Sequence, residues 1–517
     1  MHPRPRRNPM IAVTMALALS LVIPASALGS DPPPTPDLSY ITLDTAGTVT
    51  PIINSGQEYH DVMFEGIPDG IGLAPGADGL ADVYVAHEQS RVAFQNERDF
   101  VDSSVTRWTI DPATNTIIDS DVAIPDGAGF IRFCSTFMAG PAEGFSTYTL
   151  FANEESDDDL AVPAGAPYGP DPALAPKREA GYVVAYDTAT GEYRQISRMG
   201  RHNHENSVVV PGNWKKVAIL SGDDTFNAPS SQLYLFTAND EEAVRDDHGQ
   251  LWAFQVTGTE SGPLTDPYDP FNGANDYGDI SVGESLNGRF IHVPTDIARG
   301  LTDVAPQKAL EDWSNANNVF QFIRVEDIAY DRNEPTVVYF ADTGERRATP
   351  DDATGRLRRG PNLNPDETQF RGPYPNGRIF RMELNARDPR IVDSLSIVLD
   401  ADLGGYDNPA VMHQPDNIDT SETTLMVQED SGQAPNSRVW RYDLATEEWS
   451  VVAHVNDPDW ESSGIVDASE WFGPDTWLLD VQAHRDFVDE EMEGSVRVKR
   501  EAGQLLLIEI PGTAPNP

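Results

Sequence analysis

Cysteine is almost missing from this sequence, which has one Cys, Cys134, among 517 residues. A single Cys cannot form an intramolecular disulfide, so the class of small secreted domains held together by disulfides is excluded. Basic residues are also scarce, since 36 Lys and Arg against 83 Asp and Glu give a formal net charge of −47. A field of this sign repels nucleic acid and anionic membranes, so we expect neither as a partner.

Long apolar runs are missing as well, except near the start of the chain. There, basic residues including Arg6 and Arg7 precede an apolar run at 10–23 and small residues at 25–27. This pattern predicts a secretory signal peptide over residues 1–27, exported by the general route or by the twin-arginine route. No later run reaches the roughly 18 to 20 apolar residues of a membrane helix. We therefore expect a secreted monomer, extracellular or periplasmic, without a membrane span.

Helical periodicity is also rare, and short β-branched and aromatic runs bounded by Gly, Pro, Asn and Asp take its place. Such runs, for example at 336–344 and 423–432, recur six times at a spacing of about 60 to 90 residues. A single four-stranded sheet cannot bury both of its faces, so several must stack into a closed ring. The sequence therefore predicts an all-β protein, a six-bladed β-propeller with insertions between blades. It would occupy residues 40–512, after a Pro-rich linker at 28–39.

Two segments of the sequence echo each other, "FIRVEDIAYDRNEPTVVYFADTG" and "MHQPDNIDTSETTLMVQEDSG". Each has an acidic residue at its head and at its tail, and Glu326 precedes a predicted innermost strand at 327–330. In a propeller, the loop entering the innermost strand and the loop after the second strand open on one face. Head and tail acids should therefore meet at one mouth of the channel. The candidate metal ligands are Glu154, Glu155, Glu205, Asp223, Asp224, Glu326, Asp416, Asn417 and Glu429. The same rule also marks Glu88, Asp342 and Asp430.

So many carboxylates in one funnel would repel one another unless cations lay between them. Ca²⁺ prefers six to eight oxygen ligands and tolerates irregular geometry, which makes it the expected ion. The competing interpretation is that acids at strand ends only cap turns or remain solvated. Repetition at equivalent places favours metal binding.

Several short motifs, "RMGRHNHEN", "AILSGDD", "FIRVEDIAYD", "VVYFADTG" and "QPDNI", resemble the PhoX-type secreted alkaline phosphatases. The resemblance implies a calcium-dependent phosphatase with iron in its site, the metals being held at the propeller mouth by acids and one Cys. Glu205, Glu326 and either Glu154 or Glu155 match the metal-binding carboxylates of that family. Arg324 matches an Arg that holds phosphate.

One position departs from that family, because Asn153 stands where the family has a Cys directly before paired glutamates. Cys134 lies about twenty residues upstream, and nothing in the sequence alone brings it to this place. An amide oxygen suits Ca²⁺ or Mg²⁺ better than it suits Fe³⁺. We therefore expect calcium, and iron is doubtful. Arg324 has two open interpretations, a phosphate contact or an ion pair that positions Glu326.

The histidines give a weaker signal. His202 and His204 could bind a transition metal from one face of a strand, or they could orient Glu205 and bond to the backbone. Serine-hydrolase and zinc-protease motifs are absent from the sequence. The predicted function is a secreted metal-dependent phosphoester hydrolase whose partners are divalent cations and phosphomonoesters. The alternatives are a non-catalytic calcium-binding propeller and a different hydrolase, such as a calcium-dependent lactonase, on the same fold.

Overall fold

The fold is built almost entirely from short antiparallel strands. The strands of the described residues, in chain order, are β1 (Ile41–Leu43), β2 (Thr48–Asn54), β3 (Glu58–Tyr59), β4 (Val62–Met63), β5 (Pro68–Pro75), β6 (Ala81–His87), β7 (Glu97–Asp99), β8 (Ser104–Asp111), β9 (Thr116–Ile124), β10 (Phe133–Ala139), β11 (Thr149–Glu154), β12 (Val183–Asp187), β13 (Glu192–Ile196), β14 (His204–Val209), β15 (Val217–Asp223), β16 (Leu233–Ala238), β17 (Gln250–Thr259), β18 (Gly262–Pro263), β19 (Leu286–His292), β20 (Val325–Tyr330), β21 (Val337–Asp342), β22 (Ala348–Asp351), β23 (Arg356–Arg359), β24 (Arg378–Leu384), β25 (Ile391–Asp400), β26 (Pro415–Thr420), β27 (Thr424–Glu429), β28 (Arg438–Asp443), β29 (Glu448–Val455), β30 (Glu461–Asp467), β31 (Thr476–Glu493) and β32 (Val496–Glu509).

Helices are short and few in the part of the chain that the structure describes. They are α1 (Glu241–Arg245), α2 (Thr295–Ala298), α3 (Pro306–Ala316) and α4 (Ser469–Phe472). None of these helices is long and apolar enough to cross a membrane. The all-β prediction is confirmed.

The structure is a computed structural model that describes residues 33–514, with residues 34, 37, 95, 158–179, 226–230, 352–355, 361–371, 406–407 and 431–434 left out. The predicted leader at 1–27 and most of the predicted linker at 28–39 therefore lie outside the described residues. Residues from Pro32 onward form one compact unit.

The described strands form six four-stranded antiparallel meanders. They are β5-β6-β8-β9 (meander 1), β10-β11-β12-β13 (meander 2), β14-β15-β16-β17 (meander 3), β20-β21-β24-β25 (meander 4), β26-β27-β28-β29 (meander 5) and β30-β31-β32-β2 (meander 6). Strand β19 lies between β17 and β25 and joins meanders 3 and 4 into one larger sheet. Meander 6 combines three late strands with the early strand β2, so the two ends of the fold are paired.

The first strands of the meanders form a ring. Each contacts the first strand of the next meander, and β30 contacts β5, which closes the circle. A buried apolar cluster lies between each neighbouring pair of meanders. Trp108, for example, is fully buried between meanders 6 and 1, and Phe236 between meanders 2 and 3. Burial of one such side chain contributes roughly 1.5–3 kcal/mol. This is the architecture of a β-propeller, and we interpret each meander as one blade.

Position in the ring explains the sequence of the strands. The second strands, such as Val337–Asp342 and Thr424–Glu429, are buried at every residue because neighbouring meanders cover both faces. They therefore carry continuous apolar runs. The outermost strand Ile391–Asp400 has one covered face, and its burial alternates accordingly.

Every first strand carries a β-bulge at the same place. In β20, for instance, Val325 pairs with Asp342 but Ile328 pairs with Phe340, so one extra residue is inserted. The equivalent shifts follow Pro68, Phe133, His204, Pro415 and Ser463. The prediction that Glu326 precedes its strand is therefore wrong, because β20 begins at Val325 and Glu326 is the first bulged residue. A bulge turns a side chain away from the regular alternation and commonly lies beside a functional site.

A carboxylate and thiol cluster at the mouth of the ring

Five of the six bulges begin with an acid or a thiol. We call these residues the bulge ring: Asp69, Cys134, Glu205, Glu326 and Asp416. In the sixth bulge the equivalent residue is Gly464. The Cys134 Sγ atom lies 3.1 Å from Asp69 Oδ2 and 3.3 Å from Glu205 Oε1. Side chains from meanders 1, 2 and 3 therefore meet around one sulfur atom.

Glu88 and Glu155, which directly follow the second strands β6 and β11, join the bulge ring to form a continuous set of candidate metal-binding atoms. The three donor groups, in each of which the ligand atoms lie within 4.8 Å of one another, are Asp69 with Glu88 and Cys134, Cys134 with Glu155 and Glu205, and Glu205 with Glu326 and Asp416. Cys134 and Glu205 each belong to two groups. The geometry therefore suits several ions side by side better than it suits one.

Burial and mutual repulsion dominate the electrostatics of this cluster. Burial raises the pKa of Glu205 well above its ordinary value, and the charges of Glu326 and Asp416 raise it further. Burial likewise raises the pKa of the Cys134 thiol, followed by the charges of Asp69 and Glu205. Such groups become anionic at neutral pH only when cations neutralise them. The cluster must therefore hold either protons or metal ions.

Two arginines flank the cluster. Arg324 donates from Nε and Nη2 to the two carboxylate oxygens of Asp224, each at 2.7 Å, and its Nη2 lies 3.1 Å from Glu326 Oε1. Arg132 Nε lies 3.3 Å from Glu88 Oε1. Because Arg324 contacts both Asp224 and Glu326, the ion-pair interpretation of Arg324 has a structural basis, and a phosphate contact stays a prediction.

A second ring of polar residues lies opposite the bulges on the second strands. We call it the facing ring, and each member pairs with the residue just before a bulge: His87, Glu154, Asp223, Asp342, Glu429 and Asp480. The carboxylate of Glu154 accepts hydrogen bonds from the backbone N–H groups of Ile131, Gly181 and Tyr182 at 2.8–3.2 Å. These bonds hold the loop that leads into β10, through Ile131, and the residues that lead into β12, through Gly181 and Tyr182.

Other members of the facing ring do the same in their own meanders. Asp342 accepts from the N–H groups of Ile323, Arg324 and Gly344. Glu429 accepts from the His413 N–H at 2.8 Å and forms an ion pair with Arg438 at 2.7 Å. These carboxylates therefore fasten loops, which is the turn-capping role that competes with metal binding.

The structure thus divides the predicted ligands. Glu155, Glu205, Glu326 and Asp416 belong to the donor groups. Among the described residues, four other acids are in none of these groups: Glu154, Asp223, Asp224 and Glu429. Their assignment as metal ligands stays a prediction that this geometry does not support. The assignment of the amide Asn417 as a ligand also stays a prediction.

Asn417 occupies a polar layer beneath the bulge ring, formed by the second bulged residues. Its Nδ2 donates to Ser135 Oγ at 2.9 Å, and its Oδ1 accepts from Ser463 Oγ at 2.8 Å. In the same layer Asn206 donates to Asp327. Because these polar groups bond to one another across the channel, they close it under the cluster.

The two histidines beside Glu205, His202 and His204, are buried and in contact, with ring centroids 3.6 Å apart and ring planes tilted by 40°. His204 Nδ1 lies 2.8 Å from Ser221 Oγ, and Nε2 lies 3.3 Å from the Gly200 carbonyl. Burial lowers the pKa of His204 to about 3, so this ring is neutral. Neither His belongs to a donor group of the described residues. The geometry therefore favours the backbone-bonding interpretation of His204.

Sequence reasoning missed Asp69 and could not place Cys134. The signal for Asp69 was present, because Pro68-Asp69-Gly70-Ile71 parallels Pro415-Asp416-Asn417-Ile418. Asn153, by contrast, donates from Nδ2 to the Ser135 carbonyl at 2.9 Å, a backbone group of β10. A thiol is thus present in the cluster, but it comes from β10 and not from the position of Asn153.

The family model "Alkaline phosphatase PhoX" matches residues 149–453, more than half of the chain. No curated protein matches the sequence.

Among solved structures, PhoX of Pseudomonas fluorescens in complex with vanadate, a transition state analogue, is similar at a TM-score of 0.59 and 15% identity. The alignment covers 94% of this chain and 98% of that chain. Two other structures are more distant. A GH93 α-L-arabinofuranosidase of Fusarium graminearum has a TM-score of 0.38 and 8% identity, and the alignment covers 90% of this chain and 98% of that chain. The periplasmic gluconolactonase of Pseudomonas aeruginosa has a TM-score of 0.33 and 11% identity, and the alignment covers 75% of this chain and 85% of that chain. The family model covers more than half of the chain and the fold is shared, so the chain belongs to the PhoX alkaline phosphatase family.

Proposed function

We propose that this protein is an exported metal-dependent phosphomonoester hydrolase whose ions lie in the cluster at the mouth of the ring. The observation that supports this most is the continuous set of donor atoms from five meanders, with Arg324 beside it. PhoX enzymes depend on metal, and the cluster holds more buried negative charge than its two arginines neutralise. The predicted signal peptide at 1–27 supports export.

The donor set indicates which ions fit. At one end Glu205, Glu326 and Asp416 offer only carboxylate oxygens, which suit Ca²⁺. At the other end Cys134 adds a thiolate, a ligand that Ca²⁺ does not favour and that iron accepts. The reason for doubting iron was the missing Cys at Asn153, and Cys134 removes that reason. We therefore propose calcium at the oxygen end and iron at the thiol end.

Bound cations would supply Lewis-acid activation of the phosphoryl group. The chain's own residues bind and orient. Arg324, held by both oxygens of Asp224, presents a fixed guanidinium next to the cluster, where it can donate charge-assisted hydrogen bonds to phosphoryl oxygens. Thr343 donates to Glu326 Oε1 at 2.5 Å and fixes the orientation of that carboxylate.

The direct test is an assay of the purified mature protein with 4-nitrophenyl phosphate, with added Ca²⁺ and with EDTA. Turnover that requires Ca²⁺ and disappears with EDTA is the expected result. If no metal condition gives turnover while Ca²⁺ raises the melting temperature strongly, the non-catalytic calcium-binding propeller is the better description.

The placement of iron has its own test. Plasma spectrometry of the purified protein should find iron and calcium, and Cys134→Ser should lose most of the iron while it keeps calcium. Asn153→Ser is the matched control, because Asn153 is buried on the neighbouring strand and should leave both metals in place. Equal iron in the wild type and in Cys134→Ser would refute a thiolate site.

A further inference from the structure

Arg132 and Arg324 hold equivalent positions in the repeat. Each lies two residues before the first bulged residue of its strand, Cys134 in β10 and Glu326 in β20. The four other first strands carry neutral residues at this position: Ile67, Asn203, Gln414 and Ser462. Meanders 2 and 4 thus share a feature that the rest of the ring lacks.

The two guanidinium groups also have equivalent partners. Each bonds to an acid that directly follows the facing-ring residue of the preceding meander. That acid is Asp224 for Arg324 and Glu88 for Arg132. Both side chains reach the surface, with 18% of Arg324 and 26% of Arg132 exposed. The Arg132 guanidinium carbon also lies 5.9 Å from the centroid of the Phe94 ring. The mouth therefore presents two cations, each anchored by an acid of the preceding meander.

Glu155 lies between the two arginines. Its backbone N–H donates to the Arg132 carbonyl at 2.9 Å, and its carboxylate shares a donor group with Cys134 and Glu205. Burial raises the pKa of Glu155, and both Arg132 and Arg324 oppose that rise. Arg132 contacts Glu88 and Arg324 contacts Glu326, so the two cations flank the linked donor groups that share Cys134 and Glu205, on the sides of meanders 2 and 4.

We propose that Arg132 is the second arm of a two-arginine clamp that binds the phosphoryl dianion of a monoester together with Arg324. The proposal rests on the proposed function and adds a second residue that positions the phosphoryl group. A monoester carries a dianionic phosphoryl group at alkaline pH, whereas a diester carries one charge. Two guanidinium groups above a cation cluster therefore favour monoesters.

The test compares Arg132→Gln with wild type in three measurements on the metal-loaded protein. Losing a charge-assisted hydrogen bond should raise KM for 4-nitrophenyl phosphate and Kd for inorganic phosphate by about tenfold each, with kcat changed less than about threefold. For bis(4-nitrophenyl) phosphate, kcat/KM should change by less than about threefold, so the preference for monoesters falls. Arg132→Lys should restore part of the phosphate affinity, because the charge remains.

Arg107→Gln is the matched control. Arg107 is 24% exposed and pairs with Asp119 at 3.2 Å, but it lies on β8 outside the cluster, so its loss should leave KM and Kd unchanged. Unchanged KM and Kd in Arg132→Gln would overturn the clamp, and so would loss of bound metal in that variant. If wild type hydrolyses no monoester, the proposed function fails. Phosphate titration then decides the clamp alone, since weaker binding by Arg132→Gln supports it and equal binding refutes it.

Discussion

The bulge ring and the facing ring are both made mostly of acids, since Cys134 and His87 are the exceptions, and both lie at the mouth of the channel. They differ in what surrounds their carboxylate oxygens. Glu205 has other carboxylates and a thiol as its neighbours. Glu154 has three backbone N–H groups. Acidity at a strand end therefore does not predict metal binding, whereas the surroundings of the carboxylate do.

The backbone explains this difference. Glu154, Asp342 and Glu429 of the facing ring lie in regular pairing, and their carboxylates accept hydrogen bonds from the loop that enters the first strand of their own meander. A bulge-ring residue occupies the inserted position, where its side chain turns toward the other meanders. These three facing-ring acids are thus satisfied within one meander, whereas the bulge ring gathers charge from several meanders.

Among the described residues, the sixth meander has neither an acid at its bulge nor hydrogen-bond donors for its facing-ring carboxylate. Its bulge begins with Gly464, and no group in the described part of the chain donates a hydrogen bond to either oxygen of its facing-ring residue, Asp480. In meanders 2, 4 and 5 the facing-ring carboxylate accepts from the backbone N–H two residues before its paired residue. The equivalent N–H in meander 6 is that of Glu461, which lies in β30 and pairs with Gln482. Burial raises the pKa of Asp480 well above its ordinary value, so we expect this carboxyl to be protonated.

The largest expected effect is that of Glu205→Gln, because Glu205 belongs to two donor groups. We expect loss of bound metal and a fall in kcat of at least about 100-fold, the size seen when a key electrostatic group is removed. Without metal the variant should melt at a higher temperature than wild type, since one repelling carboxylate is gone. Metal analysis, kinetics and thermal melts with EDTA measure these effects.

Substitution in the facing ring should lower the stability of the fold and leave metal binding and kcat nearly unchanged, which is the opposite of the result expected for Glu205→Gln, and the effect should be smaller. Glu154→Ala leaves three buried N–H groups without acceptors, so we expect a loss of about 2–4 kcal/mol of unfolding free energy by denaturant titration. Bound metal and kcat of the folded protein should stay within about threefold of wild type. If Glu154→Ala and Glu205→Gln lost metal equally, the distinction between the two rings would fail.

The smallest expected effect is the pH dependence of the metal-free protein. Burial raises the pKa of Glu88 to about 7 from an ordinary value of 4.5. Between these values the folded protein binds more protons than the unfolded chain, so stability is full below about pH 4.5 and falls as pH rises toward 7. With EDTA the melting temperature should fall between pH 5 and pH 8, and Ca²⁺ should cancel that fall. A rise over the same range without metal would contradict a cluster of uncompensated carboxylates.

Much of the fold was open to sequence reasoning, because each second strand is an apolar run covered on both faces and each run ends in turn residues. The β class and the repeat follow directly from that pattern. Bulges could not be predicted, since a single inserted residue changes no composition or spacing that the sequence displays. The start of β20 was misplaced for this reason.

The candidate site could be predicted only in part, because some of its residues repeat along the sequence and others are brought together only by strand pairing. Glu155, Glu205, Glu326 and Asp416 were identified as candidates by repetition. Cys134 was set aside, because the sequence places it about twenty residues from the paired glutamates, although β10 and β11 pair directly and bring the two together. Cys134 and the paired glutamates are neighbours in the sheet although they are far apart in the sequence.

The sequence by itself determined that this protein is a β-propeller with acids repeated at one mouth, because strand periodicity and turn residues are local properties. Only the tertiary structure decided which acid of each repeat faces the channel and which fastens a loop. That choice depends on strand pairing, where one inserted residue redirects a side chain, and on contacts between meanders far apart in the chain.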